Sequence, residues 1–267
     1  MNEKEYFEKV KSYKLIANKS LGQNFLVNSA TAKKIVDMLE LEDNDQVLEI
    51  GSGLGSLSYF LAKSPGNPTL IDIDERMLMF LEEQFKETSK VNIKRENILK
   101  GDLSNYNKII GNLPYYITTS IIEKLLLEGT NCEKFVLMTQ KEVYPKLLSN
   151  SISPLSLFLN HVATISSATE VGRNNFAPVP HVDSVVFVIK PNINIKNKDN
   201  KELYKLMKQL FLFRRKTILN NLTNLLKSKE KSREILEKMH IDLNKRPEQL
   251  SIEFYINLLK ILKERVN

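Results

Sequence analysis

The sequence predicts an α/β domain over residues 1–190, followed by a small all-helical domain over residues 191–267. Short apolar runs with strand character alternate with segments of helical period through the first part of the chain, which is typical of parallel α/β sheets. All nine glycines precede residue 173. The polar stretch 191–200 then introduces a glycine-free, Leu- and Lys-rich remainder, a composition that favours helix.

The order of the elements follows from hydrophobic periodicity and from the positions of glycine and proline. Helices are predicted at 3–14, 28–40, 57–63, 75–85 and 119–127. Strands are predicted at 46–50, 69–73, 91–94, 107–110 and 135–138, with closing strands at 162–170 and 184–189. Residues 19–26 carry no pattern and are predicted to form a loop. The second domain is predicted to hold helices near 201–213, 216–227, 230–239 and 248–264.

The composition argues against several classes of protein. A hydrophobic content of 42% argues against global disorder. The single cysteine, Cys132, excludes a disulfide framework and a cysteine-based zinc site. The charged start predicts no secretory signal, and no apolar run approaches the roughly 18 residues that a membrane span needs. Three dispersed histidines, His161, His181 and His240, predict no metal site. A cytoplasmic protein is expected.

The formal net charge of +7 is unevenly distributed. Residues 1–190 hold 21 basic and 23 acidic side chains, whereas residues 191–267 hold 18 and 9. Residues 9–34 also contain six lysines and no acidic residue. A run of charge is usually a solvated face, but it can also mark a surface that binds a polyanion. Charge alone leaves both interpretations open.

A glycine-rich turn follows the strand predicted at 46–50. Its sequence is Glu49-Ile50-Gly51-Ser52-Gly53-Leu54-Gly55, and a helix is predicted directly after it. A strand that ends in such a turn lets a ligand approach the backbone. The spacing is G-x-G-x-G rather than the G-x-G-x-x-G of dinucleotide folds, because Ser56 follows Gly55. It is similar to the turn of S-adenosylmethionine (SAM) methyltransferases, although a tight turn without a ligand is the alternative.

Two acidic residues end the next predicted strand. Asp72 lies 21 residues after Gly51, where a carboxylate can accept hydrogen bonds from both hydroxyls of a ribose. Asp74 precedes the helix predicted to begin at Glu75, and Asp is a favourable N-cap residue. We therefore assign Asp72 to ribose binding and Asp74 to the helix cap.

The segment Gly111-Asn112-Leu113-Pro114-Tyr115 follows the fourth predicted strand. An exocyclic amine such as adenine N6 is a poor nucleophile, because its lone pair is delocalised into the ring. A side-chain carbonyl from Asn112 and the backbone carbonyl before Pro114 could accept both of its N–H bonds. Tyr115 could stack on the base. Catalysis would then depend on positioning and electrostatics. A plain turn between strand and helix is the alternative.

Together these segments resemble the ribosomal RNA adenine dimethyltransferase family. The segments that carry the resemblance occur in the family's order over most of the chain: residues 19–26 (KSLGQNFL), 49–55 (EIGSGLG), 112–115 (NLPY), 140–143 (QKEV), 176–184 (FAPVPHVDS), 213–217 (FRRKT) and, more weakly, 246–251 (RPEQLS). The resemblance implies a Rossmann-like SAM-dependent methyltransferase sheet with a small all-helical C-terminal domain. It also implies methylation of two adjacent adenosines in a hairpin near the 3′ end of small-subunit rRNA.

The resemblance also implies site residues. For SAM they are Asn24, Leu26, Gly51, Gly53, Asp72, Asn97 and Asn112. For the target adenine they are Asn112, Leu113 and Pro114, with Tyr115 and Phe176 as stacking rings. A plain core role is the alternative for Phe176. Asn97 stands where the family usually has Asp facing the cofactor's adenine, and its side-chain oxygen can still accept a hydrogen bond. Ser52 replaces the family's usual Pro.

Reading RNA by sequence usually needs unstacked bases, and chemistry on a base needs the base turned out of its stack. The basic residues Lys19, Arg214, Arg215 and Lys216 would contact phosphate, which contributes affinity rather than specificity. For the last three residues a solvated helix start is the alternative. The expected partner is small-subunit rRNA in an immature 30S-type subunit, bound by a monomer.

Three other functions remain open at this point. The antibiotic-resistance branch of methyltransferases acts on large-subunit rRNA, but its motif tends to be N-I-P-Y, so Leu113 favours the housekeeping branch. A ribosome-assembly or transcription factor could keep the fold for binding alone, but the intact residues 112–115 argue for catalysis. A dehydrogenase is disfavoured by the spacing of the glycines.

Overall fold

A computed structural model describes residues 2–13, 23–148 and 152–264. Its strands are β1 (Phe25–Leu26), β2 (Gln46–Ile50), β3 (Asn67–Asp72), β4 (Asn92–Arg95), β5 (Lys108–Asn112), β6 (Lys134–Gln140), β7 (Ala163–Val171), β8 (Phe176–Ala177) and β9 (Ser184–Pro191). Its α-helices are α1 (Glu3–Ser12), α2 (Ser29–Asp37), α3 (Ser58–Leu61), α4 (Glu75–Phe85), α5 (Thr118–Glu128), α6 (Tyr144–Leu147), α7 (Pro154–Val162), α8 (Asn200–Leu210), α9 (Ile218–Leu226), α10 (Lys229–Lys238) and α11 (Ile252–Glu264).

Seven of these strands form one sheet in the order β4-β3-β2-β5-β6-β9-β7. The five strands β4, β3, β2, β5 and β6 are parallel to one another, whereas β9 runs antiparallel to both β6 and β7. The register pairs Ile50 of β2 with Ile71 of β3 and with Gly111 of β5. The carboxyl ends of β2, β3 and β5 therefore meet at one edge of the sheet, where open α/β sheets bind ligands.

Local sequence explains the elements that shape this edge. Four of the five residues of β2 are buried, as expected for a central parallel strand. Asp74 caps α4, since its side chain accepts a hydrogen bond from the Arg76 N–H. Tyr6 of α1 is buried and donates from its hydroxyl to the carbonyls of Leu54 (2.9 Å) and Gly55 (3.1 Å). Helix α1 thus anchors the glycine turn through the hydrogen bonds of the Tyr6 hydroxyl.

The α/β fold with a helical C-terminal region is confirmed, although several elements differ from the sequence prediction. The sheet is mixed, because β9 inserts antiparallel between β6 and β7. Residues 25–26, predicted as loop, form β1, which pairs antiparallel with β8. Helices α6 and α7 and strand β8 were not predicted. Among the described residues, no helix is long and apolar enough to span a bilayer.

The division of the chain also differs from the predicted boundary at residue 190. One compact unit comprises Met1–Tyr144 and Ala163–Ile195, and the other comprises Pro145–Val162 and Lys196–Asn267. The segment 145–162, which the prediction placed in the first domain, groups with the C-terminal helices because α7 packs there. The ring of Phe158 lies 5.1 Å from that of Tyr204, centroid to centroid. The second unit is therefore discontinuous in sequence.

Candidate active site

A pocket of about 240 Å³ opens at the carboxyl edge of β2, β3 and β5. Ten residues named from the sequence line it: Asn24, Leu26, Gly51, Gly53, Asp72, Asn97, Asn112, Leu113, Pro114 and Tyr115. They come from residues 24–26, from the glycine turn, from the ends of β3 and β5 and, for Asn97, from the turn after β4. The Ser56 hydroxyl donates to the Leu26 carbonyl at 2.5 Å and joins the first two of these segments.

The glycine turn has a conformation that side chains rarely adopt. Gly51, Gly53 and Gly55 have φ values of +66°, +52° and +74°. A Cβ on Gly51 would find no protein atom nearer than the Asn112 carbonyl oxygen at 3.8 Å, so the space beside Gly51 belongs to the pocket. A Cβ on Gly55 would instead overlap the Tyr6 hydroxyl. Gly51 therefore makes room for a ligand, and Gly55 makes room for the core.

Asp72 is fixed by the backbone at the end of β3. One carboxylate oxygen accepts the Gly53 N–H and the other accepts the Asp74 N–H, each at 2.9 Å. Burial raises the pKa of the Asp72 carboxyl, although these N–H groups oppose the shift. Each oxygen retains a lone pair for a ligand hydroxyl. Asp74 is bound by Arg76 and Gln23, and the Arg76 guanidinium lowers the pKa of Asp74 to about 2.

Glu49 also lines the pocket, although no role was predicted for it from the sequence. Its side chain is buried and accepts a hydrogen bond from the Ser58 hydroxyl at 2.6 Å. Burial raises the pKa of the Glu49 carboxyl to about 8, and the nearby charge of Asp72 adds to the effect. Its place at the start of the glycine motif is the signal that could have identified it. Two acidic groups of raised pKa therefore share the pocket.

Asn97 lies at the exposed rim of the pocket, after β4. Its side-chain oxygen accepts the Leu99 N–H at 2.9 Å, while its backbone carbonyl accepts from Lys100 and Gly101. The turn fixes the side chain, and the oxygen keeps a second lone pair. The Asn97 side-chain oxygen can therefore accept a hydrogen bond from a ligand amine, which is the role that the sequence predicts for it.

Asn112 ends β5 and faces the glycine turn. Its amide nitrogen donates to the Asn24 backbone carbonyl at 3.1 Å, which fixes the orientation of the amide. Leu113 donates its N–H to the Met138 carbonyl at 2.9 Å, and Pro114 has φ −60°. A short 3₁₀ turn, Tyr115–Ile117, follows. The backbone at Leu113 is thus anchored on both sides.

Tyr115 and Tyr116 stand side by side at the pocket. The Tyr115 hydroxyl lies 3.2 Å from the Ser184 hydroxyl, and burial raises the pKa of its phenol. Tyr116, which the sequence argument did not name as a site residue, also lines the pocket and is exposed. One ring is therefore held in place, and the other is presented to solvent.

Phe176 does not take the predicted position. Its ring is 1% exposed, belongs to the hydrophobic core and is absent from the pocket lining. The pairing of β8 with β1, which sets Phe176 opposite Leu26, holds it there. The ring offers no exposed face on which a base could stack, so the core role is the one observed.

Three of the basic residues named from the sequence, Arg214, Arg215 and Lys216, are not among the residues that line the pocket. Arg214, Arg215 and Lys216 are exposed in the turn between α8 and α9, so they do not start the helix. Lys19 lies outside the described residues. Among the residues described, no group of His, Cys, Asp and Glu could hold a metal ion.

Comparison with known proteins identifies the family. Residues 15–264 match the family described as Ribosomal RNA adenine dimethylase. A protein of Malacoplasma penetrans (strain HF-2) named Ribosomal RNA small subunit methyltransferase A is 36% identical, with 96% of each chain covered. The chain belongs to the ribosomal RNA adenine dimethylase family.

Two solved structures share the fold. A dimethyladenosine transferase from Plasmodium falciparum superimposes with a TM-score of 0.74 at 24% identity, over 89% of this chain and 96% of that one. The 23S rRNA methyltransferase ErmE superimposes with a TM-score of 0.63 at 22% identity, over 89% of this chain and 98% of that one. Both likenesses show the methyltransferase fold.

Membership confirms the predicted enzyme class, a SAM-dependent rRNA adenine dimethyltransferase. The residues present fit this cofactor. The space where a Gly51 side chain would lie is open. Both carboxylate oxygens of Asp72 keep a lone pair for a ligand.

Proposed function

We propose that this protein transfers methyl groups from SAM to N6 of two adjacent adenosines in a hairpin near the 3′ end of small-subunit rRNA. The observation that carries the proposal is the state of Asn112. Its amide N–H is committed to the Asn24 carbonyl, so its oxygen is the atom available to accept a hydrogen bond at the pocket. An acceptor here, next to the open side of Gly51, fits an amine that must meet a methyl donor.

The protein residues act by holding the amine. Asn112 Oδ1 and the Leu113 carbonyl accept its two N–H bonds, which draws the nitrogen from the plane of the ring and localises its lone pair. The fixed backbone at Pro114 means that little reorganisation is needed. When bound, SAM supplies a methyl group on a positively charged sulfur. Asp72 binds the ribose hydroxyls, Asn97 binds the cofactor's adenine amine, and Tyr115 stacks on the target base.

The partner is an immature small ribosomal subunit, which a monomer binds in the cytoplasm. The excess of positive charge after residue 190 supports this assignment, because phosphate contacts contribute most of non-specific RNA affinity. Arg214, Arg215, Lys216 and Lys19 make such contacts in the proposal. Leu113 supports the small-subunit branch over the large-subunit branch.

Primer extension on under-methylated small and large subunits tests the choice of substrate. Incubation with the protein and SAM is expected to create stops at two adjacent adenosines of the small-subunit rRNA. Modification confined to the large subunit would support the antibiotic-resistance branch. Tight binding to small subunits without any methylation would support a factor that uses the fold for binding.

A further inference from the structure

The turn between α8 and α9 presents an unusual run of exposed side chains. Leu212 and Phe213 are 70% and 47% exposed, and the three basic residues 214–216 are also exposed. A seven-residue turn, 211–217, that exposes so many of its side chains would have many backbone conformations without an internal constraint. Its shape must therefore be set from within the helical unit.

The turn has one backbone hydrogen bond of its own, from the Lys216 N–H to the Phe213 carbonyl (2.8 Å). Asn221, in the first turn of α9, supplies a further constraint. It is 3% exposed, and the two N–H bonds of its amide are shared among the carbonyls of Phe213 (3.2 Å), Lys216 (3.3 Å) and Thr217 (3.0 Å). These acceptors bracket the basic residues on both sides. One buried amide thus gathers the carbonyls of the turn inward and leaves its side chains on the outside.

Stability alone does not account for an amide at this position. Asn221 Oδ1 is buried and has no hydrogen-bond partner among the described residues, which carries a desolvation cost. The hydroxyl of Thr217 already caps α9 by accepting the Asn220 N–H at 3.3 Å. The helix start therefore has its own cap, and the Asn221 amide acts on the turn.

We propose that Asn221 is a positioning residue that presets the turn 212–216 for contact with rRNA phosphates. This inference rests on the proposed RNA-binding role of Arg214, Arg215 and Lys216. A preset turn spares the ordering cost that a flexible basic loop would meet on binding. Asn221 contributes no charge itself, so its removal weakens binding only by displacing the cations that do.

A double-mutant cycle tests the inference. Its members are the full-length wild type, Asn221→Leu, the triple variant Arg214→Ala/Arg215→Ala/Lys216→Ala, and the combination of all four changes. The exposed neighbour Asn220→Leu is the matched control. Each protein is titrated onto under-methylated small subunits at several salt concentrations, and its SAM affinity and melting temperature are also measured.

Asn221→Leu is expected to weaken subunit binding about tenfold and to lower the slope of log K against log [salt] by about one unit, as for the loss of one or two phosphate contacts. Its SAM affinity should match the wild type. Added to the triple variant, Asn221→Leu should cost no further affinity, since coupled residues are not additive. Asn220→Leu should bind like the wild type.

Three results would overturn the inference. One is an Asn221→Leu variant with the affinity and salt slope of the wild type. Another is an equal loss of affinity when Asn221→Leu is added to the wild type and to the triple variant, which would indicate a general structural effect. A triple variant that binds small subunits like the wild type would show that the turn does not bind RNA. That result would not contradict the proposed methylation of adenine. If Asn221→Leu does not fold, the smaller and uncharged Asn221→Ala serves, because it removes both N–H donors without adding a charge and should weaken binding in the same way.

Discussion

Replacing Glu49 with Gln should stabilise the protein, by an amount that grows with pH. The Glu49 carboxyl is buried, and its pKa rises from 4.5 to about 8 on folding. A pKa unit corresponds to about 1.4 kcal/mol, so holding this carboxyl protonated costs at most about 5 kcal/mol of folding free energy. Gln keeps an oxygen for the Ser58 hydroxyl and cannot ionise.

The sign follows from the two pKa values. Below 4.5 the carboxyl is protonated in both the folded and the unfolded chain, so it does not change the free energy of unfolding. Between 4.5 and about 8 the unfolded chain ionises first, and the wild type loses stability as the pH rises. At neutral pH the loss reaches about 3 kcal/mol, or about 6–12 °C in melting temperature for a chain of this size.

Thermal melting across this pH window measures the effect. Glu49→Gln and wild type should melt together near pH 4.5 and separate progressively towards pH 8, with the variant higher. The exposed Glu82→Gln is the matched control and should follow the wild type throughout. A Glu49→Gln variant that melts below the wild type at pH 8 would refute the reasoning, because it would mean that the ionised carboxylate stabilises the fold.

Three further predictions concern other parts of the first unit. Gly51→Ala should fold but bind SAM more weakly by calorimetry, whereas Gly55→Ala should melt at a lower temperature, since only the second Cβ overlaps the core; equal melting temperatures would contradict this. Burial raises the pKa of the Cys132 thiol to about 12, so a thiol reagent should label it only in denaturant; rapid labelling of the native protein would contradict the buried position of Cys132. Lys108→Met should lower the free energy of unfolding by about 3–5 kcal/mol, because it leaves Asp45, now 2.7 Å from the Lys108 ammonium, buried without a cation. The added change Asp45→Asn, which removes the charge and keeps one of the two oxygens that accept from Glu42 and Asn107, should restore part of the loss; no restoration would contradict this.

The strongest sequence predictions came from short-range patterns. Residues 46–50 and 75–85 were predicted with the bounds observed for β2 and α4, because the apolar residues, the glycine turn and the Asp74 cap are all local signals. Seven of the ten pocket residues could be predicted from motifs at the carboxyl ends of neighbouring parallel strands, which share an edge of the sheet. The other three, Asn24, Leu26 and Asn97, were predicted only from the resemblance to the family.

The features that were missed depend on distant partners. Strand β1 is only two residues long and exists through its pairing with β8, which lies about 150 residues away in sequence. The same pairing buries Phe176, so its core position could not be separated from a stacking role by sequence alone. The grouping of residues 145–162 with the C-terminal helices depends on contacts such as Phe158 with Tyr204, which periodicity does not reveal.

Mass spectrometry of rRNA nucleosides tests the central claim, that Asn112 holds the N6 amine for methylation. With saturating SAM and under-methylated small subunits, the wild type should produce N6,N6-dimethyladenosine. Asn112→Ala should slow its formation by about 10²–10³-fold, as for the loss of one preorganised polar group. The exposed Asn44→Ala, the matched control, should react at the wild-type rate. Full activity in Asn112→Ala, or methylation of an atom other than N6, would contradict the account.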